Sequence, residues 1–319
     1  MENVNVKYFD EHTKFPIIIE AQSQVEAPKE WAKDNVERIS HMLNDTPAIL
    51  FRGFPIETPQ EFEQFVESII PKLYGSYGDL PKKEGGKSIY KSTPYPNNMK
   101  ILFHNESSHM KTWPRRQLFY CEIPSQVGGC TPIVDCRKVF NDLPEAVANA
   151  FEQKKLLYVR TFNEGLDVSW QHFFKTQSIE EVKERCQREG TQFSMFSDGV
   201  IQTKSLANAI AIDIETGEKS FFNQIQLHHP FWLESSLREM LVEMFGQERL
   251  TRNVFFGDGS VIPDEMLAEV DKAYRNNAVR FDWQKGDVLL LNNMLVAHAR
   301  DEFEGERKIA VAMGEMVTY

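Results

Sequence analysis

Three residues close to the ends of apolar runs carry side chains that could bind one metal ion. His104 ends the run ILFH, Glu106 follows two positions later, and His298 ends the run DVLLLNNMLVAH. Side chains two apart on a strand point to the same face, so His104 and Glu106 are expected to project together. Two imidazoles and one carboxylate form the ligand set of non-haem Fe(II) oxygenases, which leaves positions open for a chelating co-substrate and dioxygen.

Two further residues could bind a dicarboxylate beside such a metal. Arg307 follows His298 by nine positions, and Thr131 lies in the segment GGCTPIVDC. A buried guanidinium supported by a hydroxyl offers a fixed fork of donors for the distal carboxylate of a co-substrate. The alternative for Arg307 is a surface ion pair with Glu304 or Glu306. The occurrence of all five residues in this order favours the binding site.

Composition excludes several other classes of function. The chain has 319 residues, is 41% hydrophobic and carries a net charge of −11. This charge argues against nucleic acid or an anionic membrane as the main partner, because phosphate groups are bound by clustered Lys and Arg. No signal peptide, no run long enough to span a membrane and no CxxC pair is visible, which predicts a cytoplasmic protein with reduced cysteines.

The elements that must position these residues are mostly strands. From about residue 99 short β-type runs are dense and are separated by turn residues. We predict a mainly β fold with flanking helices, whose core is a double-stranded β-helix of the jelly-roll, cupin type. The chain is expected to form a single domain over residues 1–319. Residues from about 165 to 204 form an insertion that could act as a lid.

Helices are predicted mainly near the start of the chain and in insertions. The segment PKEWAKDNVERISHMLND is predicted as one amphipathic helix, and Thr58 and Glu61 predict a capping box at the start of the next. A later helix, SSLREMLVEMFG, has an apolar stripe with helical spacing. We expect that stripe to pack in the core.

The segments FHNESSH, GGCTPIVDC and LLLNNMLVAHARDEFEGERKI resemble the taurine dioxygenase-like (clavaminate synthase-like) family of Fe(II)/2-oxoglutarate-dependent dioxygenases. The resemblance covers about residues 48–316 and is strongest to SyrP-like members of peptide natural-product pathways. It implies that His104, Glu106 and His298 bind Fe(II), and that Thr131 and Arg307 bind 2-oxoglutarate as co-substrate. It further implies hydroxylation of an unactivated C–H bond, because family members that halogenate lack the metal-binding carboxylate.

The resemblance also indicates a substrate class and a set of substrate contacts. It implies an amino acid, either free or bound to a peptidyl carrier protein. The side chains expected to contact this substrate are Ser107, Ser108, Trp170, Asn223, Gln224 and His228. Many family members have a second Arg where this chain has Ala310, Val311 and Ala312, so an anion clamp of the taurine type is not expected there. The basic residues Lys111, Arg115 and Arg116 could contact an acidic carrier, or could form a solvated charged surface.

Two other functions remain open at this stage. The same cofactors could support desaturation or another oxidative rearrangement of an amino-acid-derived molecule. A non-catalytic or non-oxidative metal cupin could use the same three metal ligands without Arg307.

Overall fold

A computed structural model describes residues 1–22, 25–75, 88–91 and 95–318. The strands are β1 (Val4–Tyr8), β2 (Ile17–Ala21), β3 (Ala48–Arg52), β4 (Ile89–Lys91), β5 (Ile101–His104), β6 (Thr112–Ile123), β7 (Val127–Gly128), β8 (Ile133–Asp135), β9 (Leu156–Thr161), β10 (Gln192–Met195), β11 (Ile201–Ala207), β12 (Ile210–Ile212), β13 (Lys219–Phe221), β14 (Arg252–Phe256), β15 (Val288–Asn292), β16 (Val296–Arg300), β17 (Phe303–Glu304) and β18 (Lys308–Thr318). The helices are α1 (Pro28–Asp34), α2 (Val36–Asp45), α3 (Pro59–Ile69), α4 (Cys136–Asp142), α5 (Glu145–Lys154), α6 (Trp170–Phe174), α7 (Ile179–Glu189), α8 (Ile225–His228), α9 (Ser235–Phe245) and α10 (Asp264–Asn277).

Two sheets form the centre of the fold. The larger has the strand order β1-β2-β3-β15-β6-β18-β4, and the smaller has the order β5-β16-β8. Phe119 and Leu289 from the larger sheet pack with Ile133 and Val296 from the smaller one. Two facing, mostly antiparallel sheets around a shared core confirm the predicted mainly β fold with a jelly-roll core.

Helices cover the outer faces of both sheets. Helices α1 to α3 pack on the larger sheet, and α4, α5 and α10 pack on the smaller one. Strand β15 is therefore buried on both faces: Leu290 points toward the helices, and Leu289 points between the sheets. Burial on both faces explains why its run VLLL is continuously apolar instead of alternating. Among the described residues, no helix combines the length and apolarity that crossing a bilayer would require.

Several predicted elements differ from those observed. The predicted helix over residues 28–45 is two helices, because the chain leaves helical geometry at Asn35. Two of the β-type runs after residue 99 are strands only in part: KSFFNQIQL leaves the strand after Phe221 and continues into α8, and AVRFDW contributes only an isolated bridge at Val279. The capping box of Thr58 and Glu61 at the start of α3 is confirmed.

The prediction that the apolar stripe of α9 packs in the core is wrong. None of its residues is buried, and Leu237, Met240 and Met244 are all exposed. Helical periodicity predicted the helix correctly, but it carries no information about what covers the apolar side.

The insertion over residues 165–204 has a small core of its own. It contains α6, α7 and β10, and the strand β10 pairs with β11, which pairs in turn with β9. Phe174, Val182 and Cys186 pack against Phe162 and Ile201. The function of this segment as a lid stays a prediction.

Candidate metal and co-substrate site

The two histidines of the predicted metal site face each other across antiparallel strands. His104 ends β5 and pairs directly with His298 on β16, and the centroids of the two rings are 4.2 Å apart. Potential ligand atoms of His104, Glu106 and His298 all lie within 4.8 Å of one another. Atoms bound to one ion at about 2 Å lie at most about 4 Å apart, so small side-chain adjustments bring all three ligands onto a single ion.

Glu106 reaches this site through a turn and not along a strand. Strand β5 ends at His104, and Ser107 has the left-handed φ of 56° that the turn requires. The amide of the buried Asn293 fixes the turn. Its Oδ1 accepts the backbone N–H of Glu106 at 2.7 Å, and its Nδ2 donates to the carbonyl oxygens of Glu106 at 3.0 Å and Pro114 at 2.8 Å. The expected proximity of His104 and Glu106 is found, but it depends on this amide.

The carboxylate of Glu106 is also held by its neighbour Gln117 on β6. The Nε2 of Gln117 donates to the Oε2 of Glu106 at 3.3 Å, and Gln117 is only 1% exposed. A carboxylate can only accept, so the N–H side of the amide must face it. The hydrogen bond fixes one oxygen of Glu106 and orients the carboxylate toward the histidines.

We expect that Gln117→Leu lowers the affinity for Fe(II) by about tenfold to a hundredfold, the range typical of partners that orient metal ligands. Leucine fills similar space but cannot donate to Glu106. Anaerobic Fe(II) titration measures the effect, and thermal unfolding of the metal-free variant checks that the fold is intact. Unchanged Fe(II) affinity in a folded variant would mean that Gln117 does not orient the carboxylate.

Both histidines are in the neutral form that binds metals. The Nδ1 of His104 is 2.9 Å from the carbonyl oxygen of Leu102, which can only accept, so Nδ1 is protonated and Nε2 keeps its lone pair. Burial lowers the pKa of His104, although the charge of Glu106 and the Leu102 carbonyl oppose this shift. Burial, with a smaller effect of His104, lowers the pKa of His298 well below its usual value.

One ring nitrogen of His298 has no described hydrogen-bond partner. This atom is Nδ1, and it is buried. Buried polar atoms are normally paired, so an orphan at a site with a second neutral imidazole and a carboxylate requires an explanation. This donor set suits Fe(II) and leaves coordination positions open.

Arg307 and Thr131 form a second part of the site. The Nε of Arg307 donates to the carbonyl of Gly129 at 2.9 Å, and its Nη2 donates to the Oγ1 of Thr131 at 3.1 Å. The Nε1 of Trp283 donates to the same oxygen at 3.0 Å. Both acceptor positions of the hydroxyl are then used, so its own proton remains to be donated. A carboxylate would accept from both Thr131 and Arg307.

The surface ion pair considered for Arg307 is not observed. Within the described part of the chain no carboxylate pairs with it, and Glu306 pairs instead with Lys308 at 2.8 Å. Burial and, secondarily, the charge of Arg300 lower the pKa of Arg307 to about 10. The guanidinium therefore stays charged at neutral pH, and no described carboxylate serves as its counter-ion.

All five predicted metal and co-substrate residues line one cavity. Its described lining consists of Ile101, His104, Glu106, Gln117, Phe119, Thr131, His298, Ala299, Arg300, Arg307, Ile309 and Val311. The ring centroid of Phe119 lies 4.9 Å from that of His298. The ionic groups thus sit against apolar walls, where electrostatic interactions are stronger than in water.

Three of the predicted substrate contacts belong to a buried hydrogen-bond network outside the described cavity lining. The Oγ of Ser108 and the Nε2 of Gln224 both donate to the carbonyl of Asn105 at 2.9 Å. The backbone N–H of Asn223 donates to the Oδ1 of Asn105 at 3.2 Å. This network supports the turn that carries Glu106, and contact of its members with a substrate stays a prediction.

The other three predicted substrate contacts are dispersed. Ser107 is buried in the turn itself, and Trp170 begins α6 and packs on the small core of the insertion. The Nε2 of His228 lies 3.2 Å from the Oε1 of Gln224, and its ring centroid is 5.3 Å from that of His109. None of the three is among the lining residues of the cavity, and their substrate role also stays a prediction.

The suggestion that Arg115 and Arg116 contact an acidic carrier, or form a solvated surface, is wrong. Both side chains are buried, and both make ion pairs with Glu215 and Glu315. They are engaged inside the protein, so they are not available to a partner surface. Lys111 alone of the three is exposed.

Gln117, Asn293 and Arg300 were not identified from the sequence. A signal existed for Arg300, because it follows His298 by two positions on the same strand and must share its face. Gln117 and Phe119 alternate in the same way along β6. Asn293 carried no such signal, because its role depends on the meeting of two segments far apart in sequence.

Comparison with known proteins identifies related sequences. Residues 10–313 match the family model described as Taurine catabolism dioxygenase TauD, TfdA family. The chain is 35% identical over 277 residues to the dapdiamide synthesis protein DdaC of Enterobacter agglomerans, which covers 86% of this chain and 84% of the relative. It is 28% identical over 287 residues to the clavaminate synthase-like protein At3g21360 of Arabidopsis thaliana, covering 86% and 83%.

Solved structures with the same fold are more distant in sequence. PvcB of Pseudomonas aeruginosa superposes with a TM-score of 0.58 at 10% identity, covering 98% of this chain and 91% of that one. A taurine dioxygenase from Burkholderia xenovorans superposes with a TM-score of 0.56 at 14% identity, covering 98% and 89%. At these identities the likeness concerns the fold alone.

Proposed function

Because the chain belongs to the TauD/TfdA family of Fe(II)- and 2-oxoglutarate-dependent dioxygenases, we propose that it hydroxylates an unactivated C–H bond of an amino-acid-derived substrate. It is a dioxygenase, and Fe(II) and 2-oxoglutarate are its cofactor and co-substrate.

The observation that carries the proposal is the common cavity of the His104–Glu106–His298 cluster and the Thr131–Arg307 pair. In the proposal the first three residues bind Fe(II). The guanidinium of Arg307 and the hydroxyl of Thr131 would hold the distal carboxylate of 2-oxoglutarate, which would give Arg307 a counter-ion.

When bound, Fe(II) and 2-oxoglutarate supply the oxidising chemistry, in which dioxygen and 2-oxoglutarate are converted to succinate and CO2 while the substrate is oxidised. The protein contributes binding and orientation. Neutral His104 and His298 present lone pairs without proton release, Gln117 and Asn293 hold Glu106 in place, and the apolar wall at Phe119 excludes water.

The relatives support a small substrate from amino-acid metabolism. DdaC is named for dapdiamide synthesis, and PvcB is described as an oxygenase from an isonitrile synthetic pathway. By this analogy we propose a role in natural-product biosynthesis. The presence of Glu106 favours hydroxylation over halogenation, and desaturation or another oxidative rearrangement is the second candidate. Carrier-bound substrate and a cytoplasmic location stay predictions.

The test is succinate formation in the presence of Fe(II), 2-oxoglutarate and a panel of free and carrier-loaded amino acids. We expect one panel member to stimulate succinate release, with a product that gains one oxygen atom. A product that loses two hydrogen atoms instead would replace hydroxylation by desaturation. Stimulated succinate release without any oxidised product would contradict the proposal that the panel member is a substrate.

A further inference from the structure

Arg300 is a second arginine among the residues that line the cavity of the metal site. It is the last residue of β16, it follows His298 by two positions, and it is 8% exposed. Its Nη1 donates to the carbonyl of Tyr95 at 3.0 Å, and its Nη2 donates to the carbonyls of Pro96 and Met99 at 2.6 and 2.7 Å. These bonds lock the orientation of the side chain.

One N–H donor of this guanidinium makes no hydrogen bond to a described residue. The Nε of Arg300 is buried and has no hydrogen-bond partner within the residues that the structure describes. Desolvation of an unpaired donor of a charged group is costly, and Arg300 is one of the residues that line the cavity, so this unpaired donor indicates a missing acceptor.

Neither Arg300 nor Arg307 has a carboxylate partner among the described residues. The two guanidinium carbons lie 5.3 and 5.6 Å from the ring centroid of Phe303, so both cations border the same aromatic side chain. Over the described ranges of the chain, neither guanidinium makes an ion pair with Asp or Glu. A buried cation is ordinarily neutralised by an anion.

The charges of the complete site leave one cation without a counter-ion. Fe(II) and the two guanidiniums contribute four positive charges, and Glu106 and 2-oxoglutarate contribute three negative charges. A histidine binds a metal as the neutral imidazole, so His104 and His298 add no charge. One further negative charge balances the site, and Arg300 is the cation for which the metal and co-substrate provide no partner.

We propose that Arg300 binds a carboxylate of the substrate, which makes the substrate an acid with a free carboxylate group. This inference rests on the proposed function, since it takes Arg307 as the site of the co-substrate. It specifies the substrate further: an amino acid joined to a carrier through its only carboxyl group does not meet the requirement, whereas a free amino acid or a dicarboxylic derivative does.

Acetate is a suitable minimal probe, with acetamide as its uncharged counterpart. The protein is loaded with Mn(II), a redox-stable paramagnetic substitute for Fe(II), and with saturating 2-oxoglutarate. We expect the proton relaxation of the acetate methyl group to increase saturably relative to Zn(II)-loaded protein, while that of acetamide does not. Arg300→Gln should weaken acetate binding by at least about tenfold, because a charge-assisted hydrogen bond is lost.

Arg300→Lys provides a second variant, because Gln leaves the carbonyls of Tyr95, Pro96 and Met99 with a weaker donor. The lysine variant keeps the charge and should retain part of the acetate affinity. The inference is overturned if wild-type protein with bound 2-oxoglutarate shows no acetate-dependent relaxation, if acetate displaces 2-oxoglutarate, or if Arg300→Gln binds acetate normally. Failure of 2-oxoglutarate itself to bind would instead contradict the proposed function.

Discussion

His298→Ala is expected to reduce turnover to the level of the protein without added iron. The site groups one carboxylate and two imidazoles around a single metal position, and the described chain offers no fourth His, Cys, Asp or Glu in that cluster. The substitution therefore removes one of the three protein ligands of the metal. His104→Ala and Glu106→Ala should behave in the same way.

Anaerobic Fe(II) titration and succinate formation together measure this effect. His41→Ala is a matched control, because His41 is exposed on α2, a helix that packs on the larger sheet. Thermal unfolding of the metal-free proteins separates loss of the ligand from loss of the fold. Normal succinate formation by any one of the three ligand variants would remove that residue from the metal site.

Arg307→Leu is expected to weaken 2-oxoglutarate binding by at least about a hundredfold. Removing one member of a buried charge pair typically costs about 3–5 kcal/mol, and each 1.4 kcal/mol corresponds to about tenfold in affinity. The variant leaves the distal carboxylate of the co-substrate without its guanidinium, and it also removes the donors to Gly129 and Thr131. Fe(II) affinity should change little, since Arg307 is not among the residues grouped around the metal position.

Titration of 2-oxoglutarate into anaerobic Fe(II)-loaded protein, followed by charge-transfer absorbance, gives the affinity. Arg280→Leu is the control, because Arg280 is half-exposed and pairs at 3.1 Å with Asp301, the residue next to Arg300. Arg307→Lys keeps the positive charge but lacks the bidentate guanidinium, so its affinity for 2-oxoglutarate should lie between those of the wild-type protein and Arg307→Leu. Wild-type affinity in Arg307→Leu would exclude Arg307 as the carboxylate anchor.

The jelly-roll core could be predicted because its strands have a strong local pattern. Strands buried on both faces, such as β15, appear as continuous apolar runs, and turn residues separate them. A local pattern could not predict whether another element packs against the apolar side of a helix. The stripe on α9 has the same periodicity as the buried side of α3, yet α3 packs on a sheet and α9 remains exposed.

In the candidate site, too, some features could be predicted from the sequence and others could not. His104, Glu106, His298, Thr131 and Arg307 could be named because their types and order suggest a known chemistry. The reason offered for Glu106 was nevertheless incorrect, since it lies in a turn held by Asn293 and not on the strand of His104. Contacts of this kind join residues 187 positions apart, and no local pattern encodes them.

Anaerobic titration of 2-oxoglutarate into the Fe(II)-loaded wild-type protein, followed by admission of dioxygen in the presence of substrate, tests the assignment of this cavity most directly. We expect a charge-transfer absorbance that saturates at one 2-oxoglutarate per chain and disappears with dioxygen as succinate is released. An Fe(II)-loaded protein that develops no such absorbance at saturating 2-oxoglutarate would contradict the assignment of this cavity.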